Sequence, residues 1–170
     1  MTGYTDINPY EMNESPFRLI GSDWMLITAG DKNSFNTMTA SWGGLGVLWN
    51  KNVCFIFIRP NRYTYEFVEK FETFTLSFFN EDMKDALKIC GSKSGRDIDK
   101  VSEAGITPVY TESGSVSFQE ARLIIECRKL YLQDINPEFF LDPEIDKNYP
   151  NKDYHRMYVG EVLSCQLKNS

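Results

Sequence analysis

The sequence has a single histidine among 170 residues, and its four cysteines form no Cys-x-x-Cys pair. The usual zinc spacings are therefore excluded, and any imidazole chemistry has to run through His155. Positive charge is also short. The 18 lysines and arginines stand against 24 acids, a net charge of -6, which argues against nucleic acid or an anionic membrane as the main partner. No apolar run approaches the roughly 20 residues of a membrane span. The stretch MTGYTDINPYEMNESP has neither the basic start nor the apolar core of a signal peptide. A G-x-G-x-x-G fingerprint for a Rossmann nicotinamide site is missing. Regular βαβ alternation is missing too, so a doubly wound parallel sheet is not expected.

What is present is a globular composition, 42% apolar and 14% aromatic, in a chain long enough for one compact domain over residues 1–170. Cys54, Cys90, Cys127 and Cys165 are spread almost evenly. Three of them sit in strand-like apolar surroundings and read as buried free thiols of a reducing, cytoplasmic compartment.

Residues 1–14 read as an extended arm. The pattern then predicts strands over 24–30, 35–41, 53–58 and 73–79, with a turn at Asp31 to Ser34. A fifth strand signal covers 117–132, where the alternation of Leu123, Ile125 and Cys127 slips phase before Leu130 and Leu132, as at a bulge. The sixth closes the chain over 154–167. Helices are expected from Tyr63 or Thr64 onward and over 82–90, the second stopped by Gly91. Residues 137–150, acidic and rich in turn formers, read as a loop insertion. The fold class is mainly β with added helices, an antiparallel barrel with helices on its rim.

The stretch FIFIRPNRYTYEFVEKF, residues 55–71, reads as strand, basic turn, amphipathic helix. A helix N-terminus offers free N–H groups and a positive dipole end. Arg59, Arg62 and the Thr64 hydroxyl, with N–H groups near Tyr63 and Thr64, would complete a phosphate pocket, since a guanidinium can donate twice to one phosphate. The alternative is that the arginines pair with Glu66 and Glu69 and that Thr64 only caps the helix.

Four motifs, NTMTASWGGLG (36–46), RPNRYTYEF (59–67), KICGSKSGRDIDK (88–100) and HRMYVGEV (155–162), resemble in that order the flavin reductase-like proteins of FMN-binding split-barrel fold, with the flavoredoxin-like branch nearest. The resemblance covers about residues 15 to 167. It implies a six-stranded antiparallel split β-barrel, a homodimer, and FMN as cofactor. Electrons would come from NADH or NADPH and pass to a small-molecule or protein acceptor, with no nucleic acid or membrane partner.

Along the flavin the likeness places Asn36, Thr37, Met38, Thr39, Ser41 and Trp42, with Met38 read instead as a core or interface residue. A strand entering a glycine-rich turn offers the backbone donors and flat surface that an isoalloxazine needs. The alternative for Trp42 is a core indole. Lys93 and Ser94, with Arg96 beyond Gly95, could close over the flavin or form a plain surface loop. His155 is a candidate contact or a surface residue. Cys90 is either a thiol activated by Lys93 or a buried one. Because hydride transfer to a flavin requires no dedicated acid or base, no catalytic dyad is expected. A flavoredoxin-like electron carrier without direct NAD(P)H activity is the competing reading.

Overall fold

The computed structural model describes residues 2–169. Ten strands and four α-helices run in the order β1 (Tyr4–Asp6), α1 (Pro16–Gly21), β2 (Met25–Gly30), β3 (Phe35–Ala40), β4 (Gly43–Leu48), β5 (Lys51–Ile58), α2 (Tyr63–Lys70), β6 (Thr73–Phe78), α3 (Lys84–Ser92), α4 (Lys100–Ala104), β7 (Pro108–Tyr110), β8 (Val116–Phe118), β9 (Leu123–Asp134) and β10 (Arg156–Lys168). The six strands expected from sequence are β2, β3, β5, β6, β9 and β10.

All but β7 and β8 form one antiparallel sheet, ordered β3-β2-β6-β9-β10-β5-β4, with β1 added alongside β10. Its two edge strands, β3 and β4, are consecutive in the chain, joined only by Ser41 and Trp42. A link that short reaches about 10 Å at most. The sheet must therefore curl until its edges meet, which makes it a split barrel. The closing bends come from β9 and β10, whose pairing shifts register at Leu130 and Leu163. The first shift is the phase slip visible in the sequence.

Turn chemistry fixes the first hairpin. Asp31 accepts hydrogen bonds from the Asn33 and Ser34 N–H groups at 2.8 and 3.1 Å, an Asx-type turn. Gly30 sits at φ +127°, and a Cβ there would lie 2.3 Å from the Ser34 carbonyl oxygen, so only glycine fits.

Because β2, β6 and β9 are covered on both faces, the core has two parts. Inside the barrel lie Met25, Ile27, Ile56, Phe74, Leu76, Ile125, Tyr158 and three of the thiols. Outside the sheet, under α3, α4 and β8, lie Leu26, Leu87, Cys90, Phe118 and Ile124. All four cysteines are buried and unbridged.

The arm is only partly extended. β1 pairs with Gln166–Lys168, and a 3-10 turn follows at Pro9–Glu11. Residues 137–150 form two 3-10 turns, Pro137–Phe139 and Pro143–Asn148. Gly91 lies inside α3 rather than beyond it. A Cβ on it would sit 3.2 Å from that of Thr39, so it lets the helix approach β3 instead of stopping it. Among the described residues no helix is long and apolar enough to cross a membrane.

Candidate functional site

The turn Arg59–Arg62, closed by the Arg62 N–H donating to the Arg59 carbonyl at 3.0 Å, leads from β5 into α2. Arg62 occupies the N-cap and supplies no side-chain acceptor there, leaving the first N–H groups of the helix to face outward. Thr64 is inside the helix and is not its cap. Its buried hydroxyl accepts from Asn36 Nδ2 at 2.7 Å, which leaves its own O–H free to donate.

This helix start opens onto a cavity of about 420 Å3 whose lining includes Arg59, Arg62, Tyr63, Thr64, Lys93, Ser94 and Met38. Six of the eleven sequence-derived cofactor residues thus converge on one space, and Met38 turns out to line it. Asn36 and Thr37 line an adjoining cavity of about 310 Å3 that shares Tyr63, Gly95 and Lys100 with the first. Thr39, Ser41 and Trp42 line neither. Thr39 donates to the Leu87 carbonyl, Ser41 is exposed, and Trp42, 46% exposed, lies against His155 with ring centroids 5.0 Å apart.

The cations of the cavity differ in how far they are engaged. Arg59 does not pair with Glu66 or Glu69. It holds both oxygens of Asp153 at 3.0 Å, donates to the Asn148 carbonyl at 2.8 Å, and stacks over Tyr149. Glu66 pairs with Arg96 and Glu69 with Arg156. Lys93 reaches Glu103 at 2.9 Å. Arg62, by contrast, makes no ion pair among the described residues and is the free guanidinium of the site.

Sequence reasoning missed Lys100. Its buried ammonium donates to the Thr37 and Cys90 carbonyls at 2.8 and 2.7 Å, which leaves one N–H for a ligand. Burial holds its pKa below the ordinary lysine value, with Arg62 adding to the effect. One signal existed: a lysine opening a helix opposes the dipole and so had to be there for another reason. Asp153, also missed, carries no comparable mark.

His155 is buried rather than at the surface. Its Nδ1 shares a 2.9 Å hydrogen bond with the Tyr149 hydroxyl, and burial, followed by the nearby Arg59, pulls its pKa down to about 4. It is therefore neutral at physiological pH. Burial pushes the Cys90 thiol up to about 11, and Lys93 points elsewhere, so the activated-thiol reading is replaced by the buried one.

A donor-rich cavity at a helix start, holding one free guanidinium, one buried ammonium and an unsatisfied hydroxyl, suits a phosphate monoester. Comparison with known proteins gives the family and the fold. The family model described as "Flavin reductase like domain" matches residues 17–170. The structure resembles flavoredoxin from Methanosarcina acetivorans at 22% identity and TM-score 0.66, covering 84% of this chain and 67% of that one. It also resembles an FMN-binding domain of flavin reductase-like enzymes from Shewanella baltica, at 15% identity and TM-score 0.71, covering 97% and 77%. A third likeness is to the NADH:FAD oxidoreductase of Streptomyces globisporus, at 17% identity and TM-score 0.65, covering 85% and 75%. At these identities the likeness carries the fold.

Proposed function

The chain belongs to the flavin reductase-like domain family, and on that premise we propose that it binds FMN and acts as an NAD(P)H-dependent oxidoreductase of the flavin reductase type. The observation that carries this reading is the cavity at the start of α2, where Arg62 is free and Lys100 retains a donor. In this reading Arg62, the Tyr63 and Thr64 N–H groups and the Thr64 hydroxyl hold the phosphate. Lys93 and Ser94 close the opposite wall. Asn36, Thr37, Thr39, Ser41 and Trp42 serve the ring side, reached along β3 from Met38, and the exposed indole of Trp42 offers a flat surface.

The flavin, when bound, supplies the hydride and electron transfer. The protein's own part is to bind, orient and exclude water. Lys100 places positive charge beside the cavity without moving a proton, and His155, neutral, positions Trp42 and Tyr149. With no Rossmann fingerprint, the nicotinamide of NADH or NADPH has to meet the flavin directly. The acceptor would be a small molecule or a protein.

The proposal extends to a cytoplasmic homodimer. Four unbridged thiols suit a reducing compartment. Trp49 and Tyr131, both exposed and with ring centroids 6.1 Å apart, are the kind of apolar surface that a second copy covers. Light scattering at a monomer's mass would remove the dimer.

The decisive experiment is the visible spectrum of the purified protein after FMN is added and excess removed, before and after anaerobic NADH or NADPH. Retained flavin that bleaches supports the reductase. Flavin that is retained but stays oxidised points to a flavoredoxin-like carrier. Failure to retain flavin, together with no turnover of free FMN, overturns both.

A further inference from the structure

A second polar cavity, about 490 Å3 in volume, lies between β1, the turn joining β7 to β8, and the end of β10. One of its lining residues is Glu126 on β9, a carboxylate only 5% exposed. Register places Glu126 beside Ser164 of β10 and Thr75 of β6. Its Oε1 accepts hydrogen bonds from the Thr111 hydroxyl at 2.8 Å and from the Ser113 hydroxyl. Its Oε2 accepts none among the described residues, and no lysine or arginine among them pairs with it. Nor is Oε2 sealed away: among the described residues the one buried unpaired side-chain atom is Gln166 Oε1, so Glu126 Oε2 opens onto the cavity.

Gln166, 7% exposed, sits in the same wall. Its amide orientation is fixed because Nε2 donates to Asp6 Oδ1 at 2.7 Å, and a carboxylate can only accept. Two buried acceptors are thus left wanting donors. A buried carboxylate without a cation is costly, and here the missing partner has room to enter.

The shape of the site says which cation. Asp6, Glu112 and Glu126 all line the cavity, yet no three acids among the described residues converge tightly enough to hold a metal ion. The same wall carries hydrocarbon from Ile7, Val162 and Leu163, beside the polar Asn52 and Ser164. Acceptors spaced along a partly apolar wall suit a chain with a charged, hydrogen-donating group at each end. We propose that this cavity binds a small alkyl diamine or polyamine, one ammonium seated on Glu126 Oε2, its methylenes along Val162 and Leu163, and the second ammonium near Asp6 or Glu112. The acidic net charge draws such a ligand in. The site is separate from the flavin cavity and stands independently of the function proposed above.

Isothermal titration of the full chain at low ionic strength with 1,4-diaminobutane tests the proposal. One-to-one saturable binding is expected, with none for 1-butanol. Glu126→Gln, which keeps the volume and the hydroxyl contacts, should weaken it by about tenfold or more. Asp6→Asn, at an exposed position, should weaken it about two- to fivefold. Absence of saturable binding, equal binding of butanol, Mg2+ binding as tightly as the diamine, or an unchanged affinity in Glu126→Gln would each overturn it. If Glu126→Gln does not fold, an affinity unchanged in both Asp6→Asn and Glu112→Gln has the same force. N-acetyl-lysine methylamide binding more tightly than the diamine would overturn the free-amine assignment and point to a lysine side chain of a protein.

Discussion

Two of the polar cavities of this acidic chain, the one at the start of α2 and the one at Glu126, have opposite chemistry and opposite architecture. Around the start of α2 the wall donates hydrogen bonds, and its conspicuous cations are mostly committed: Arg59 to Asp153 and Lys93 to Glu103. What remains for a ligand is less visible, namely Arg62, one N–H of Lys100, one hydroxyl and the helix amides. Around Glu126 the wall accepts, and the charge itself is buried and unpaired. Counting charges would rank the first cavity as strong and overlook the second. Following each charged group to its partner reverses part of that ranking.

The sharpest way to break the comparison is to exchange the two arginines of the first cavity for alanine, one at a time. Arg62→Ala should cost FMN affinity about 1.5–3 kcal/mol, the range of a charge-assisted hydrogen bond, or roughly tenfold or more. Arg59→Ala should cost clearly less, because its guanidinium is already spent on Asp153 and the Asn148 carbonyl. Flavin fluorescence titration reads both. Equal losses would mean that Asp153 releases Arg59 when the ligand arrives.

The outer wall of that cavity gives the next test. There Asp153, Tyr149 and His155 tie residues 148–155 to Arg59. The pKa of His155 is depressed from 6.5 to about 4 in the folded state. The stability tied to its neutral form is therefore fully present above pH 6.5 and is lost as pH falls toward 4. Between pH 7 and pH 5 the loss should be about 1–2 kcal/mol. Denaturant titration of the wild type against His155→Phe isolates it, and the same pH slope in both would assign the loss to carboxylates. The smallest expected effect is that of Lys93→Ala. Its exposed pair with Glu103 contributes about 0–1 kcal/mol, so FMN affinity should fall by a few-fold at most and depend on salt. A loss matching that of Arg62→Ala would move the phosphate toward the loop.

The six long strands were legible in the sequence because each buries enough alternating residues to show a period, and the slip before Leu130 even located a bulge. The four strands that escaped are short or glycine-rich. β4, GGLGVL, has little side chain with which to show alternation, and β1, β7 and β8 are three residues each. That Arg59, Arg62, Tyr63 and Thr64 share one cavity was legible because they are adjacent in sequence. Lys100, Asp153 and the Glu126 cavity were not, because their contacts come from elsewhere in the chain: Thr37 for Lys100, Arg59 for Asp153, and Thr111 and Ser113 for Glu126. Local pattern records periodicity, and it does not record which distant carbonyl an ammonium meets.

The strand order has a consequence for how the molecule is made. Before residues 123–168 exist, β3-β2-β6 and β4-β5 are separate sheets, and only β9 and β10 join them. On the ribosome, the nascent chain must hold two open strand edges, that of β6 and that of β5, until residues 123–168 have been made. Sequence-distant pairing of this kind is slow, and unpaired edges invite association with other chains. Residues 123–168 are thus the seam of the barrel, and the interval before they are made is when those edges are most open to other chains.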